Sequence, residues 1–127
     1  MRSLIILLAV VLGSVFSILP LSAYMATKGL AAPQKEWAEP AVYFAARTRM
    51  RMARFPPAVA LLQRAIKTWP NSPRVDEATY WIGFCYERAE VSDQAIAWYK
   101  AFLSKYPKHE WAAQAKRRLD TLEAQNL

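Results

Sequence analysis

One block of the chain repeats. Ala41 to Pro70 recurs without a gap 37 residues later as Ala78 to Pro107. Tyr43 returns as Tyr80, Phe44 as Trp81, Ala46 as Gly83, Ala58 as Ala95, Ala60 as Ala97, Trp69 as Tyr106 and Pro70 as Pro107. A fixed period in the 30s means stacked units, none of which can bury its apolar face alone. That excludes most enzyme folds and makes a protein-binding scaffold the leading reading.

Proline and turn residues divide the repeat into helices. Glu39-Pro40 suits a helix start, and a helix from Ala41 to Arg54 is stopped by Phe55-Pro56-Pro57. A second helix begins at Pro57 or Ala58 and ends at Trp69 before Pro70, with Asn71-Ser72-Pro73 as a turn. A third covers Asp76 to Glu90. Ser92 or Asp93 is expected to cap a fourth, Gln94 to Tyr106. Glu110 to Gln125 predicts a fifth, with Trp111, Ala115, Leu119 and Leu122 on one side. No stretch alternates as a strand would.

The N-terminal quarter has a different character. Leu4 to Ala26 is 23 residues without a charge. As a helix it would span roughly 35 Å, enough to cross a bilayer core. A cleaved leader is the competing reading, but its apolar core would be shorter, and the best cut, Leu21-Ser22-Ala23, carries a poor residue at −3. The uncleaved single-pass anchor is therefore preferred. The expected organisation is an anchor over 1–26, a linker over 27–40 containing Gly29, Pro33 and Pro40, and a helical domain over 41–127. Lys and Arg counts on the two sides of the span nearly tie, so charge leaves the orientation open.

The repeat resembles the tetratricopeptide repeat. Ile82-Gly83-x-x-Tyr86, then Ala95, Tyr99 and Pro107, fall at that motif's spacings. The run Ala78-x-Tyr80-Trp81-Ile82-Gly83-x-x-Tyr86, followed by Tyr106-Pro107 and Ala112-x-x-Ala115, is similar to bacterial envelope repeat proteins. The types meant are the Tol-Pal coordination protein and the lipoprotein of the outer-membrane barrel-assembly machine. The resemblance implies an all-α fold: the N-terminal transmembrane helix, then a short α-solenoid of about two helical hairpins and a capping helix. Together with the anchor, it leads to the expectation of a bacterial inner-membrane location with the helical domain in the periplasm.

The resemblance further implies a concave groove lined by the first helix of each hairpin. Carried over by position, its residues are Tyr43, Arg47, Met50 and Arg51, then Tyr80, Phe84, Glu87 and Arg88, with Arg117 and Thr121 from the last helix. Tyr and Arg dominate binding hot spots. The competing reading for the tyrosines is packing between helices.

Charge adds a basic block. Pro40 to Val75 holds seven bases and no acid, equal to the whole net charge of +7. Arg47, Arg51 and Arg54 fall at i, i+4, i+7 and are expected on one helical face. That face could be merely solvated, could meet anionic lipid headgroups beside the anchor, or could steer an acidic protein partner. No groove-reading module argues for nucleic acid.

Nothing in the residues points to catalysis or to a cofactor. His109 is single and reads as a solvated turn residue. Cys85 is single and reads as a buried thiol. The glycines are isolated, so no phosphate loop is present. The expected function is a membrane-anchored adaptor that binds an acidic or helical segment of an envelope complex. The alternative is a small accessory subunit of a larger membrane complex, which should expose Trp37, Trp98 and Trp111 for neighbours to cover.

Overall fold

The computed structural model describes residues 2–127, and among them there are six α-helices and no strand. They are α1 (Arg2–Ala31), α2 (Ala38–Arg51), α3 (Phe55–Thr68), α4 (Val75–Arg88), α5 (Ser92–Lys105) and α6 (Ala112–Gln125). Helices α2 to α6 are each 14 residues long. Three-residue turns at 52–54 and 89–91 alternate with six-residue connections at 32–37, 69–74 and 106–111. That alternation is the 37-residue period. Sequential neighbours pack as antiparallel pairs, so α2/α3 and α4/α5 are hairpins and α6 closes the stack.

Both three-residue turns use one device. Ala53 and Glu90, one period apart, have φ of 55° and 61°. The Arg54 amide donates to the Arg49 carbonyl at 2.8 Å, and the Val91 amide to the Tyr86 carbonyl at 2.9 Å. A left-handed residue followed by such a bond closes a helix, and glycine normally holds the place. A residue with a Cβ costs about 1–2 kcal/mol there. Glu90 is exposed and forms no ion pair within 4.0 Å among the described residues. Glu90→Gly should therefore raise stability by about 1 kcal/mol, seen as a thermal midpoint several degrees higher. An unchanged or lower midpoint would mean that the turn is not left-handed.

The longer connections are also tied alike. The Glu39 carboxylate accepts from the Ser72 hydroxyl, and Asp76 Oδ2 lies 3.4 Å from His109 Nε2. Glu39 and Asp76 are one period apart, as are Ser72 and His109. Each acid pins the first turn of one helix to the connection that follows its hairpin.

The structure changes the N-terminal picture. Helix α1 continues through Thr27 to Ala31, and α2 starts at Ala38, so the expected linker over 27–40 shrinks to the connection 32–37. Ser22, Ala26 and Gly29 lie on one face of α1 and are buried. A Cβ on Gly29 would sit 2.8 Å from the Ala38 carbonyl oxygen and 3.2 Å from Val42 Cγ2. Gly29 therefore serves close approach, not a flexible linker. Residues 18–31 lie one period before α3, so the end of α1 takes the place of the second helix of a preceding hairpin. Trp69 Nε1 donates to the Pro33 carbonyl at 3.0 Å and fixes the connection. Leu4 to Leu12, Phe16, Ile18 and Leu21 are exposed, and α1 is long and apolar enough to cross a membrane by length and composition.

The core has two parts. Ala26, Val42, Ala45, Leu62, Ile82 and Cys85 belong to one, joining α1 to α4. Tyr80, Tyr99, Phe102, Ala115, Leu119 and Leu122 belong to the other, joining α4 to α6. Two sequence expectations are corrected here. Val91, not Ser92 or Asp93, occupies the N-cap of α5, and no side chain caps it. His109 is not a solvated residue: its ring packs edge-on against Phe102 and Trp111 at 5.2 Å centroid distances, and its Nδ1 accepts the Trp111 amide at 3.0 Å.

Candidate protein-binding groove

Helices α2 and α4 are the first helices of the two hairpins, and their outward residues face one hollow. Arg47, Met50 and Arg51 of α2 meet Trp81 and Phe84 of α4 around about 260 Å³. An adjoining hollow of about 350 Å³ is lined by Tyr43, Arg47, Arg74, Glu77, Trp81 and Trp111, among others. Trp81 is held in place by edge-to-face contacts at 5.5 Å with Tyr80, Phe84 and Trp111. The Arg118 guanidinium lies over the Phe84 ring at 5.1 Å. The floor of the groove is thus aromatic and rigid, which limits the ordering cost of binding.

Its polar groups are incompletely paired. Among the described residues no acid comes within 4.0 Å of Arg47 or Arg51, while Arg74 reaches Glu39 at 3.5 Å. The Tyr43 side chain is 8% exposed, and its hydroxyl has no hydrogen-bond partner among the described residues. Burial, and then the charge of Glu39, push its pKa up to about 12, so it stays a neutral donor. A buried donor without an acceptor costs about 1–3 kcal/mol.

Several residues expected from the sequence meet here: Tyr43, Arg47, Met50, Arg51 and Phe84. Others do not. Tyr80 is 2% exposed and points into the α5–α6 side, against Tyr99, Phe102 and Trp111. The packing reading applies to it. Glu87 is engaged inside the stack with Tyr99 and Arg118. Arg88, Arg117 and Thr121 are exposed but outside both hollows, and the Thr121 hydroxyl is bonded to the Arg117 carbonyl at 3.0 Å. Arg54 does not share a helical face with Arg47 and Arg51, because α2 ends at Arg51 and Arg54 follows the left-handed turn.

The residues that the sequence reading missed are Trp81, Arg74 and Trp111. A signal for the first was present. Trp81 and its equivalent Phe44 are both aromatic, and they lie one position, or about 100° of helix, from the tyrosines that were chosen.

Among the described residues no three His, Cys, Asp or Glu side chains gather as a metal site would require. Cys85 is fully buried, and burial pushes its thiol pKa up to about 12, so it is inert.

Residues 77–109 match the tetratricopeptide repeat family model. The matched stretch begins in the first turn of α4 and ends in the connection after α5, one whole hairpin. With the helical stack, it supports a tetratricopeptide-type protein. Such repeats are typically non-catalytic interaction modules, which suggests a protein–protein interaction scaffold. No curated protein matches the chain.

Proposed function

We propose that the chain is a membrane-tethered adaptor whose α2–α4 groove holds an acidic segment of another envelope protein, anchored by an apolar side chain. The observation that carries this reading is the aromatic hollow at Trp81 and Phe84 flanked by Arg47 and Arg51 without acids. Of the three tryptophans that a dedicated subunit would present, Trp98 and Trp111 are half-buried in the chain's own core, and Trp37 is exposed. That favours the adaptor over the accessory subunit.

In this reading α1 stays on the protein and crosses the inner membrane once. The likeliest cleavage segment supports retention: Leu21 to Ala23 is helical, and Ser22 is fully buried. The resemblance of the repeat to envelope proteins supports a periplasmic domain, which a reporter fused after Leu127 would reveal by activity only in that compartment.

The groove is tested by co-purification of the full chain in mild detergent, with partners identified by mass spectrometry. Trp81→Ala should weaken capture by about 2 kcal/mol, roughly 30-fold, as a hot-spot anchor does. Thermal melts of the same variant separate lost binding from lost folding. Arg47→Glu should slow association chiefly at low salt, where steering survives. Normal capture by both variants, with release by substitutions on the Trp98 face of α5, would move the binding surface to the convex side.

A further inference from the structure

The end of the stack nearest the exposed half of α1 carries the arginines that lack acids. Gly29 of α1 lies against Ala38 and Val42 of α2, and the two helices run antiparallel through a six-residue connection. Equal rise per residue then fixes their register. Counting back from those two contacts puts Arg49 level with Ile18 to Ser22, and the turn 52–54 level with Gly13 to Leu19. Arg49 is thus level with the end of the apolar run Leu4 to Leu21, and the turn lies two to eight residues, about 3–12 Å, before that end, a depth that long arginine side chains span by reaching toward the interface. As a helix that run is about 27 Å long, close to the thickness of a bilayer's hydrocarbon core.

The turn has the composition of an interfacial contact. Arg51, Arg54 and Pro56 are exposed, and Met52 and Phe55 are half-buried. Among the described residues no acid lies within 4.0 Å of Arg49, Arg51 or Arg54. The Arg49 guanidinium instead donates to the Ala45 carbonyl at 3.0 Å. Burial and then the neighbouring Arg54 charge lower the Arg49 pKa. The basic character is local. At the next turn of the same end Arg88 is followed by Glu90 and Asp93, and at the opposite end Lys67, Arg74 and Lys105 are mixed with Glu39, Asp76 and Glu77.

We propose that the α2–α3 turn docks on anionic phospholipid headgroups, with Arg49, Arg51 and Arg54 facing phosphates and Phe55-Pro56 at the interface. The proposal rests on α1 crossing the bilayer. Lipid contact through the turn would fix the tilt of the stack and hold the α2–α4 groove at a set height above the membrane. A tether on a flexible linker could not do this.

The test is amide hydrogen exchange on the full chain in nanodiscs of phosphatidylcholine alone or mixed with phosphatidylglycerol. Peptides covering 49–57 should exchange at least about fivefold more slowly in anionic discs, the factor expected for one basic side chain held near such a surface. The difference should vanish near 1 M salt, where the Debye length is about 3 Å. It should also vanish in Arg51→Glu/Arg54→Glu and survive in Lys67→Glu/Lys105→Glu, which changes net charge equally at the opposite end. If 4–21 is protected in both discs but 49–57 ignores lipid charge, headgroup docking is wrong while the spanning helix stands. If 4–21 exchanges freely in both discs, the spanning reading fails and the docking proposal fails with it. If both double variants lose the effect equally, it is general charge attraction and not this turn.

Discussion

Replacing Gly83 by Leu should lower the thermal midpoint of the helical stack by more than about 10 °C, equivalent to about 3 kcal/mol for a domain of this size. Gly83 lies in α4 where α5 crosses it. A Cβ there would come within 3.0 Å of Tyr99 Cδ1 and 3.1 Å of Cε1. Contacts of that length can be relieved only if the neighbour gives way. Tyr99 has nowhere to move: its ring is fully buried, packs on Tyr80 at a 5.7 Å centroid distance, and is tethered at its hydroxyl to Glu87 at 2.6 Å. Leu adds three further carbons against that ring. Gly83→Ala is the graded control. Its single methyl needs a shift of a few tenths of an ångström, and the gain of up to about 1 kcal/mol in helix propensity offsets much of that cost. A Leu variant that melts like the unaltered protein would show that α4 and α5 do not meet at this register.

Much of the fold was legible because the repeat states its own period. Two copies in phase locate the turns twice over, and prolines at equivalent places mark the same stops. Helices α2 to α6 follow the sequence expectation within three residues at each end. What the sequence hid was the role of residues 18–31. Gly29, Pro33 and Pro40 all read as breakers, yet only Pro33 lies in a connection. Gly29 is needed for the approach of α1 to α2, and Pro40 sits in the first turn of α2, where a missing amide costs nothing. A glycine chosen for contact and a glycine chosen for flexibility look alike until the partner helix is seen.

The α2–α4 hollows proposed as the groove were only partly legible in their lining. Most of the residues around them lie on the first helices of the hairpins. The error at Tyr80 is one residue, but on a helix one residue turns a side chain through about 100°, from the groove into the α5–α6 core. The prominence of tyrosine in binding hot spots favoured the error. The same hydroxyl is orphaned at Tyr43, where the first hairpin has Arg74 against the ring at 6.0 Å and the second has Trp111 against Tyr80 at 5.0 Å. Equivalent positions in the two copies have thus diverged: the Tyr43 hydroxyl has no partner among the described residues, and the Tyr80 ring is enclosed by aromatic neighbours.

Glu87→Ala should destabilise the stack by about 2–3 kcal/mol without touching either hollow of the groove. One carboxylate joins three helices: Glu87 Oε2 accepts from the Tyr99 hydroxyl at 2.6 Å, and Oε1 accepts from Arg118 at 2.9 Å. Removing it leaves a phenol and a guanidinium without their acceptor in a largely buried site, and breaking a buried pair costs about 3–5 kcal/mol. The Glu87 and Arg118 side chains keep 24% and 29% exposure, so water recovers part of that. Glu87→Gln retains an acceptor for Tyr99 and should cost only about 1 kcal/mol. Alkaline titration reads the same contact. Burial, then the Glu87 hydrogen bond and charge, raise the Tyr99 pKa above its ordinary value of 10.0. At Arg118, burial pulls the pKa down, and Glu87 together with Tyr80 and Tyr99 more than reverses that. A tyrosine pKa raised by folding contributes stability that is complete below the unfolded value near pH 10 and is lost as pH rises toward the folded value. Without Glu87 only burial and the neighbouring Tyr80 hold the phenol up, so phenolate absorbance should appear at lower pH in Glu87→Ala than in the unaltered chain. Equal melting and an unmoved phenolate titration would show that Glu87 points to solvent and that α4, α5 and α6 are held by apolar packing alone.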